Sequence, residues 1–537
     1  MVKPRESEPG KSVDRRKFLE LGALTVGATI LAGCGGTTPT AAPQSTTAPA
    51  GAAPTTGAAA GAATKAPSVA AVPTTASAAA APTAAATTAA AVKTGATTKQ
   101  PAEVVFNTWW VPLADVFDIV QKDFQDANPG VTVKQQMITA SYVEKMSAAL
   151  VAGNFGDAAT ANNGVQSKWM SSGYHVDMTS WAAEDKLNVQ QDYGLAGLEI
   201  WCGKLLNMPM DNDDRAIYYN KTMIKAAGAK DPWDDLHGKW TWDDMIEIAQ
   251  KCVKKNSAGK ITQYGLMTSL NNPQEIEPYI WSLGGNYANW ETGKFTFLDE
   301  ASVKANEMLY KWATVDKFLI TNEAISDLQG ASGINPFRGG IVAMYHRASY
   351  DATLNQKEIG DKFEWDAAPF PDPGSFAPGK QGVPCSTANP NFVPKGAKNP
   401  QLGYKWIAML AGDKAEELYA KKKTMMVAKK SAWKTYQDTN PPKHPGSFVY
   451  YVYGRPHGFH YYSDITLEAF NTIGAELDKA YLGKQTIKQA LDTTQQKVDA
   501  LGKSQSASCG SPYGTNGSPQ PALSEAELST LGVKPSV

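Results

Sequence analysis

The chain reads as an α/β protein of two lobes preceded by a long unstructured stalk. Three observations predict this. Residues 35–100 are almost wholly Ala, Thr, Pro, Gly and Ser, with no aromatic residue and three lysines (Lys65, Lys93, Lys99), so they bury too little apolar surface to offset the entropy of ordering a backbone. All 14 tryptophans lie between residues 103 and 504, and roughly 400 residues exceed what one hydrophobic core holds. Within that region strand-like and helix-like patterns alternate with short connections, which builds a parallel sheet with helices on its faces.

The first element is the N-terminal run. Asp14-Arg15-Arg16-Lys17-Phe18-Leu19 opens a stretch that ends at Leu31-Ala32-Gly33-Cys34. Its apolar part is about 14 residues, short of the roughly 20 that cross a bilayer core. The pattern resembles a bacterial lipoprotein signal, in which the thiol of Cys34 takes a diacylglycerol and becomes the new N-terminus. Arg15-Arg16 with Phe18-Leu19 also resembles a twin-arginine leader, which exports folded proteins. Asp14 stands where that motif has Ser or Thr, and Gly35 follows the cysteine where an Asp is usual. Residues 1–34 are therefore expected to be a signal with a lipidated Cys34, and residues 35–102 a disordered tether. Lipid contributes about 0.8 kcal/mol per buried methylene, so several chains give a lasting anchor on the outer face of the cytoplasmic membrane.

Composition excludes several classes. Lys and Arg number 51 against 52 Asp and Glu, a net charge of −1, and the basic residues are scattered, so no footprint for nucleic acid appears. The cysteines are Cys34, Cys202, Cys252, Cys385 and Cys509, without a CxxC pair or histidines in zinc spacing. With Cys34 acylated, one disulfide or buried free thiols both remain open. There is no Gly-x-Ser-x-Gly, His-Glu-x-x-His or nucleotide loop. Glu275 and Glu277 are not spaced as the facing carboxylates of a glycosidase. His457 and His460 lack a third metal ligand, and Pro456 and Gly458 oppose a helix there. No metal and no cofactor is expected.

The globular elements follow in order. Residues 103–110 have the β-branched and aromatic density of a buried strand. Val116, Phe117, Val120 and Phe124 share one helical face, and Asn128-Pro129-Gly130 stops that helix. Residues 131–135 form the next strand, and 142–152 an amphipathic helix ended by Gly153. Strand 215–220 leads into helix 221–227, ended by Gly228. Thr241-Trp242-Asp243-Asp244 has capping-box spacing ahead of a helix to about residue 255. Residues 265–269 and 340–345 read as strands, and 301–315, 399–412 and 486–501 as helices. The Ser/Gly/Pro-rich tail from about 504 is expected to be disordered apart from a short helix at 524–531.

Eight segments in this order resemble one family: residues 106–110 (Phe-Asn-Thr-Trp-Trp), 124–133, 148–157, 216–228 (Ala-Ile-Tyr-Tyr-Asn-Lys through Gly), 239–244, 337–344, 368–374 and 483–491. Together they are similar to the family 1 extracellular solute-binding proteins of ABC importers, the group of maltose-type sugar binders, over about residues 103–504. Residues 382–391 depart from it, standing where members usually have a Gly-rich strand. The resemblance implies a periplasmic-binding-protein clamshell joined by hinge crossovers, with lobe 1 at 103–212 and 348–410, lobe 2 at 213–347 and 411–504, and a tail at 505–537. It implies a monomer, not an enzyme, that captures a small solute, a mono- or oligosaccharide, and delivers it to permease subunits served by separate ATPase subunits. A surface-anchored glycoside hydrolase and a sugar sensor are the alternatives.

A sugar offers flat C–H faces to aromatic rings and a rim of hydroxyls to planar polar groups. Trp109 and Trp110 stand at the C-terminal end of the first strand, where α/β sheets place ligands; strand alternation sends one to the cleft and the other to the core. Asn162 and Asn163 are either a cleft contact or an Asn-Asn-Gly turn. Asp213 and Asp214, with Arg215, lie near the expected crossover, as cleft contacts or a solvated loop. Trp281 is similar to the family's second stacking position, with core packing as the competing role. Arg347 and Tyr350, after His346, follow a strand that the family uses for ligand contact; a surface salt bridge is the alternative for Arg347. Arg455, in Arg-Pro-His-Gly-Phe-His, matches a late segment passing near the cleft.

Overall fold

The structure, a computed structural model, describes residues 101–195, 199–289, 292–459, 463–502 and 520–535. The signal, Cys34 and the tether up to residue 100 lie outside them, as do His460 and Cys509. In the first lobe β1 (Ala102–Thr108), α1 (Ala114–Ala127), β2 (Val131–Met137), α2 (Tyr142–Ala152) and β3 (Ala158–Thr160) follow one another. β1 is central and parallel to both β2 and β3, with Ala102 opposite Val131 and Phe106 opposite Ala158. α1 buries the four residues that its sequence pattern selects; each such side chain contributes about 1.5–3 kcal/mol. The strand ends at Thr108, so Trp109 and Trp110 belong to the turn after it. α2 closes at Gly153, whose φ of 69° is a left-handed conformation that glycine adopts without a Cβ clash.

The second lobe holds β4 (Arg215–Asn220), α3 (Trp242–Cys252), β5 (Ile261–Met267), α4 (Pro273–Leu283), β6 (Val342–Ala348) and β7 (Trp365–Ala368). Its strand order is β7-β4-β6-β5, with Lys254–Lys255 at the edge. β6 is parallel to β5, but β4 is antiparallel to both β6 and β7. The parallel arrangement expected from strand-helix alternation is thus realised among β1, β2 and β3 of the first lobe, whereas the second sheet is mixed because β4 enters from the other lobe rather than through a crossover helix. α3 has the capping box: Thr241 Oγ1 accepts from Asp244 N–H at 3.3 Å, and Asp244 Oδ2 accepts from Thr241 N–H at 3.0 Å. Gly265 lets β5 approach α3 so closely that a Cβ would lie 2.2 Å from the Ala249 carbonyl oxygen. Gly265→Ala is expected to lose about 1–3 kcal/mol by overpacking, read as a lower urea midpoint with an unchanged slope.

The chain then returns to the first lobe. β8 (Asn391–Phe392) pairs antiparallel with β3. α5 (Pro400–Leu410) and α6 (Asp413–Lys422) pack on α1, where Trp406 meets Phe106 and Phe124 edge-on and Tyr419 meets Phe117. These pairings redraw the lobe boundaries expected from sequence. β7 lies in the second sheet, not with 348–410 in lobe 1, because its backbone bonds go to β4. α6 sits on the first lobe, not with 411–504 in lobe 2, because its apolar side faces Phe117. α7 (Thr466–Tyr481) and α8 (Ile487–Asp499) pack together, and α7 also reaches the first lobe through Glu468, 2.6 Å from Lys168 Nζ. The tail helix α9 (Glu525–Thr530) falls at the expected place, but it is docked, with Leu528 and Val533 each 1% exposed. Cys202 is disulfide-bonded, whereas Cys252 and Cys385 are buried free thiols. Among the described residues no helix is long and apolar enough to cross a membrane.

Candidate functional site

Three segments run between the lobes side by side. Residues 208–215 lead into β4, and 385–391 lead back into β8. They are antiparallel, with Met208 and Asn391 exchanging backbone bonds of 2.7 and 2.9 Å and Arg215 N–H donating to the Cys385 carbonyl at 3.0 Å. The third segment carries Met426–Val427, which pairs with Asp211–Asn212 on the other side. Polar side chains lock this ribbon. Asn389 donates from its backbone N–H and from Nδ2 to the Asp211 carboxylate at 2.5 and 3.0 Å, and Ser386 Oγ and the Tyr453 hydroxyl both donate to Asp214.

The ribbon ends in a buried charged cluster. Arg215, 1% exposed, donates from Nε to Glu275 Oε1 at 3.2 Å and from Nη2 to Gln274 Oε1, and lies 3.5 Å from Asp213 Oδ2. Arg347 Nη1 reaches the same Glu275 oxygen at 3.1 Å, and its guanidinium lies 5.4 Å from the centre of the Tyr350 ring. Burial pushes the Asp213 carboxyl up, against the attraction of Arg215 and Arg347. Burial acts the same way on Glu275, but the Arg215 and Arg347 guanidinium groups outweigh it and hold its pKa below the usual range. Burial pushes His346 down to about 4, so it is neutral at physiological pH.

Asp211 is pushed up to about 8 by burial and by Asp213. The fold binds that proton before the unfolded chain does, so the contribution to stability is full below about pH 4 and is lost as pH rises through about 8. Asp211→Asn is therefore expected to flatten the pH dependence: between about pH 5 and about pH 8 the urea midpoint should fall less in the variant than in the parent.

Beside this cluster lies a cavity of about 410 Å³, within the range of small-molecule sites. One wall is Asn163 and Gly164 of the first lobe; the facing wall is Asn271, Asn272, Pro273 and Gln274 at the start of α4; α7 closes it with Phe470, Asn471 and Asp478 among others. Among the described residues, five side-chain amides and one aromatic ring line it, and no Lys, Arg or His does. Asp478 is engaged by Asn271 Nδ2 at 2.9 Å. Such a surface presents donors and acceptors in pairs and carries little net charge, which suits vicinal hydroxyls.

The sequence candidates divide clearly. Trp110 is 8% exposed and sits in the core, while Trp109, its ring centre 5.8 Å away, keeps a partly exposed face. Asn162 makes the turn, its Oδ1 accepting from Gly164 N–H at 3.0 Å. Asn163 instead reaches the ribbon, donating to Asn389 Oδ1 at 3.2 Å and Thr387 Oγ1 at 3.0 Å. Asp213, Arg347 and Tyr350 come together in the cluster, whereas Asp214 is spent within the ribbon. Trp281 is not open to a ligand: it is 2% exposed, packed with Val383 and Cys385 and against Gly458. Arg455 holds the 370–372 turn, donating to the Phe370 carbonyl at 2.9 Å and lying 3.3 Å from Asp372. Gln274, Glu275, Thr387 and Asn389 were not selected from sequence as site residues. Their roles arise from contacts across 60 to more than 170 residues, which leave no local pattern.

The model of the bacterial extracellular solute-binding protein family matches residues 110–417, more than half of the chain. A binding protein of Brucella abortus (strain 2308) is 24% identical over 314 residues, 55% of this chain and 68% of that protein. An ABC substrate-binding protein of Listeria monocytogenes, solved in complex with cycloalternan, superposes with a TM-score of 0.65 at 19% identity, over 75% of this chain and 99% of the other. The GacH receptor of Streptomyces glaucescens, solved unliganded and with acarbose, superposes with a TM-score of 0.62 at 18% identity, over 75% and 99%. The two-lobed α/β architecture is that of these binding proteins, and the chain belongs to the bacterial extracellular solute-binding protein family.

Proposed function

We propose that this protein captures an uncharged mono- or oligosaccharide between its lobes and delivers it to an ABC permease, tethered outside the cytoplasmic membrane by lipid on Cys34. The observation that carries the reading is the cavity of about 410 Å³ walled by both lobes, rich in amides and, among the described residues, free of lining cations. Phe470 and Gln274 line that cavity; Trp109, Asp213, Arg347 and Tyr350 are not part of its lining and are read as contacts of the wider cleft around the ribbon. The Listeria relative was solved with cycloalternan and the Streptomyces receptor with acarbose, both in keeping with a saccharide. Glu275 is held by two guanidinium groups, an arrangement that favours a binding role over that of a hydrolytic acid.

The solute acts by joining surfaces that separate when the lobes part, so closure gains the difference in contacts. Moving a closed-to-open ratio from 1:99 to 99:1 takes about 5.5 kcal/mol of differential affinity, within reach of one ring stacking and several hydrogen bonds. A thermal-shift screen of neutral saccharides beside glycerophosphates tests the solute class. A neutral saccharide at about 100 times its Kd should add about 2.7 kcal/mol of stability, whereas a response to the phosphates alone would contradict the reading. Trp109→Ala should weaken binding of that saccharide about 2- to 10-fold by calorimetric titration, the loss of one stacking contact.

A further inference from the structure

Residues 520–535 fasten to the rest of the molecule at both ends and between. Gln520 and His457 exchange backbone bonds of 2.6 and 3.3 Å, and Leu523 N–H donates to the Tyr453 carbonyl at 2.7 Å. Leu528 fills the space beside Gly454, its Cδ1 3.0 Å from where a Cβ there would stand. Val533 is equally buried, and Gln437 clamps the end of the segment, donating to the Lys534 carbonyl at 2.5 Å and accepting from its N–H at 3.1 Å.

What this segment grips is the outer layer of the hinge. Gly458, next to His457, donates to the Pro384 carbonyl at 2.9 Å and accepts from Ser386 N–H at 2.8 Å, so it holds the second crossing. The Tyr453 hydroxyl donates to Asp214 at 3.3 Å on the first crossing. Trp433 stacks on Tyr453 with ring centres 4.3 Å apart and donates from Nε1 to the Val427 carbonyl at 3.1 Å on the third. The first two crossings are therefore one residue away from the segment, and the third is two residues away, through Tyr453 and Trp433.

We propose that residues 520–535 are a hinge strap: docked, they stiffen the three crossings and restrain the lobe motion that capture requires. Lobe closure takes its angular change in a few such connecting residues. A layer hydrogen-bonded to the crossings raises the cost of bending them, and its release lowers that cost.

The test uses the full-length protein without solute, so it does not depend on the saccharide reading. In Leu528→Asp/Val533→Asp both buried anchors of the strap become charged. Hydrogen exchange of the amides in 384–389 and 453–458 is expected to quicken about tenfold or more, while the β1 amides of 104–106 keep their protection. Unchanged exchange in 384–389 would overturn the proposal. If the double variant does not fold, Gln437→Ala removes only the terminal clamp. A smaller rise at 384–389 is then expected, and no rise overturns the proposal equally.

Discussion

Glu275→Ala is expected to lower stability by about 3–5 kcal/mol, because it leaves buried cations without their partner. One carboxylate oxygen serves both Arg215 at 3.2 Å and Arg347 at 3.1 Å. Arg215 is 1% exposed. Asp213 is the nearest remaining anion, but at 3.5 Å it compensates only in part. Urea unfolding should show a lower midpoint, and binding of a saccharide found by the thermal-shift screen should fail in the same variant, since Arg347 and Arg215, the latter the donor to Gln274, both lose their partner. Glu275→Gln separates the effects: it keeps one acceptor for the arginines and should recover part of the stability. A loss below about 1 kcal/mol in the alanine variant would mean that water reaches the cluster and that it does not hold the cleft together.

Trp281→Ala is expected to cost about 3–5 kcal/mol as a core cavity while leaving saccharide affinity within about threefold at temperatures well below unfolding. Its ring lies against Gly458, where a Cβ would approach to 2.3 Å, and its Nε1 donates to Asn286 Oδ1 at 3.3 Å. A ligand-stacking tryptophan would give the opposite result, little change in stability and a marked loss of affinity. Calorimetric titration beside urea unfolding of the same preparation distinguishes the two roles.

The contrast between Trp281 and Trp109 shows what a sequence conveys and what it withholds. Helical periodicity at Val116, Phe117, Val120 and Phe124 identifies α1 because local spacing alone decides which face is buried. Gly153 and Thr241 mark helix ends for equally local reasons, a left-handed residue and a capping hydroxyl. Whether a tryptophan in an apolar segment meets solvent or core depends instead on what packs over it. For Trp281 that is Gly458, 177 residues later, and nothing near position 281 announces it. The crossings are illegible for a related reason. Asp211–Asn212 and Met426–Val427 are two-residue strands, too short to produce alternation, and their stability comes from side chains such as Asn389 and Tyr453. Of the cluster, Arg215 beside Asp213 and Asp214 was visible as a group of charges, but its partner Glu275 was not. The placement of β7 and α6 was likewise decided by sheet pairing and helix docking over long sequence distances.

The central claim is that the two lobes grip an uncharged saccharide and release it unaltered. The most direct measurement is calorimetric titration with a panel of neutral mono- and oligosaccharides and glycerophosphates, each solute recovered afterwards and weighed by mass spectrometry. One-to-one binding of at least one neutral saccharide, recovered at its original mass, is the expected result. Binding confined to the phosphorylated solutes, or recovery of a cleaved sugar, would contradict it.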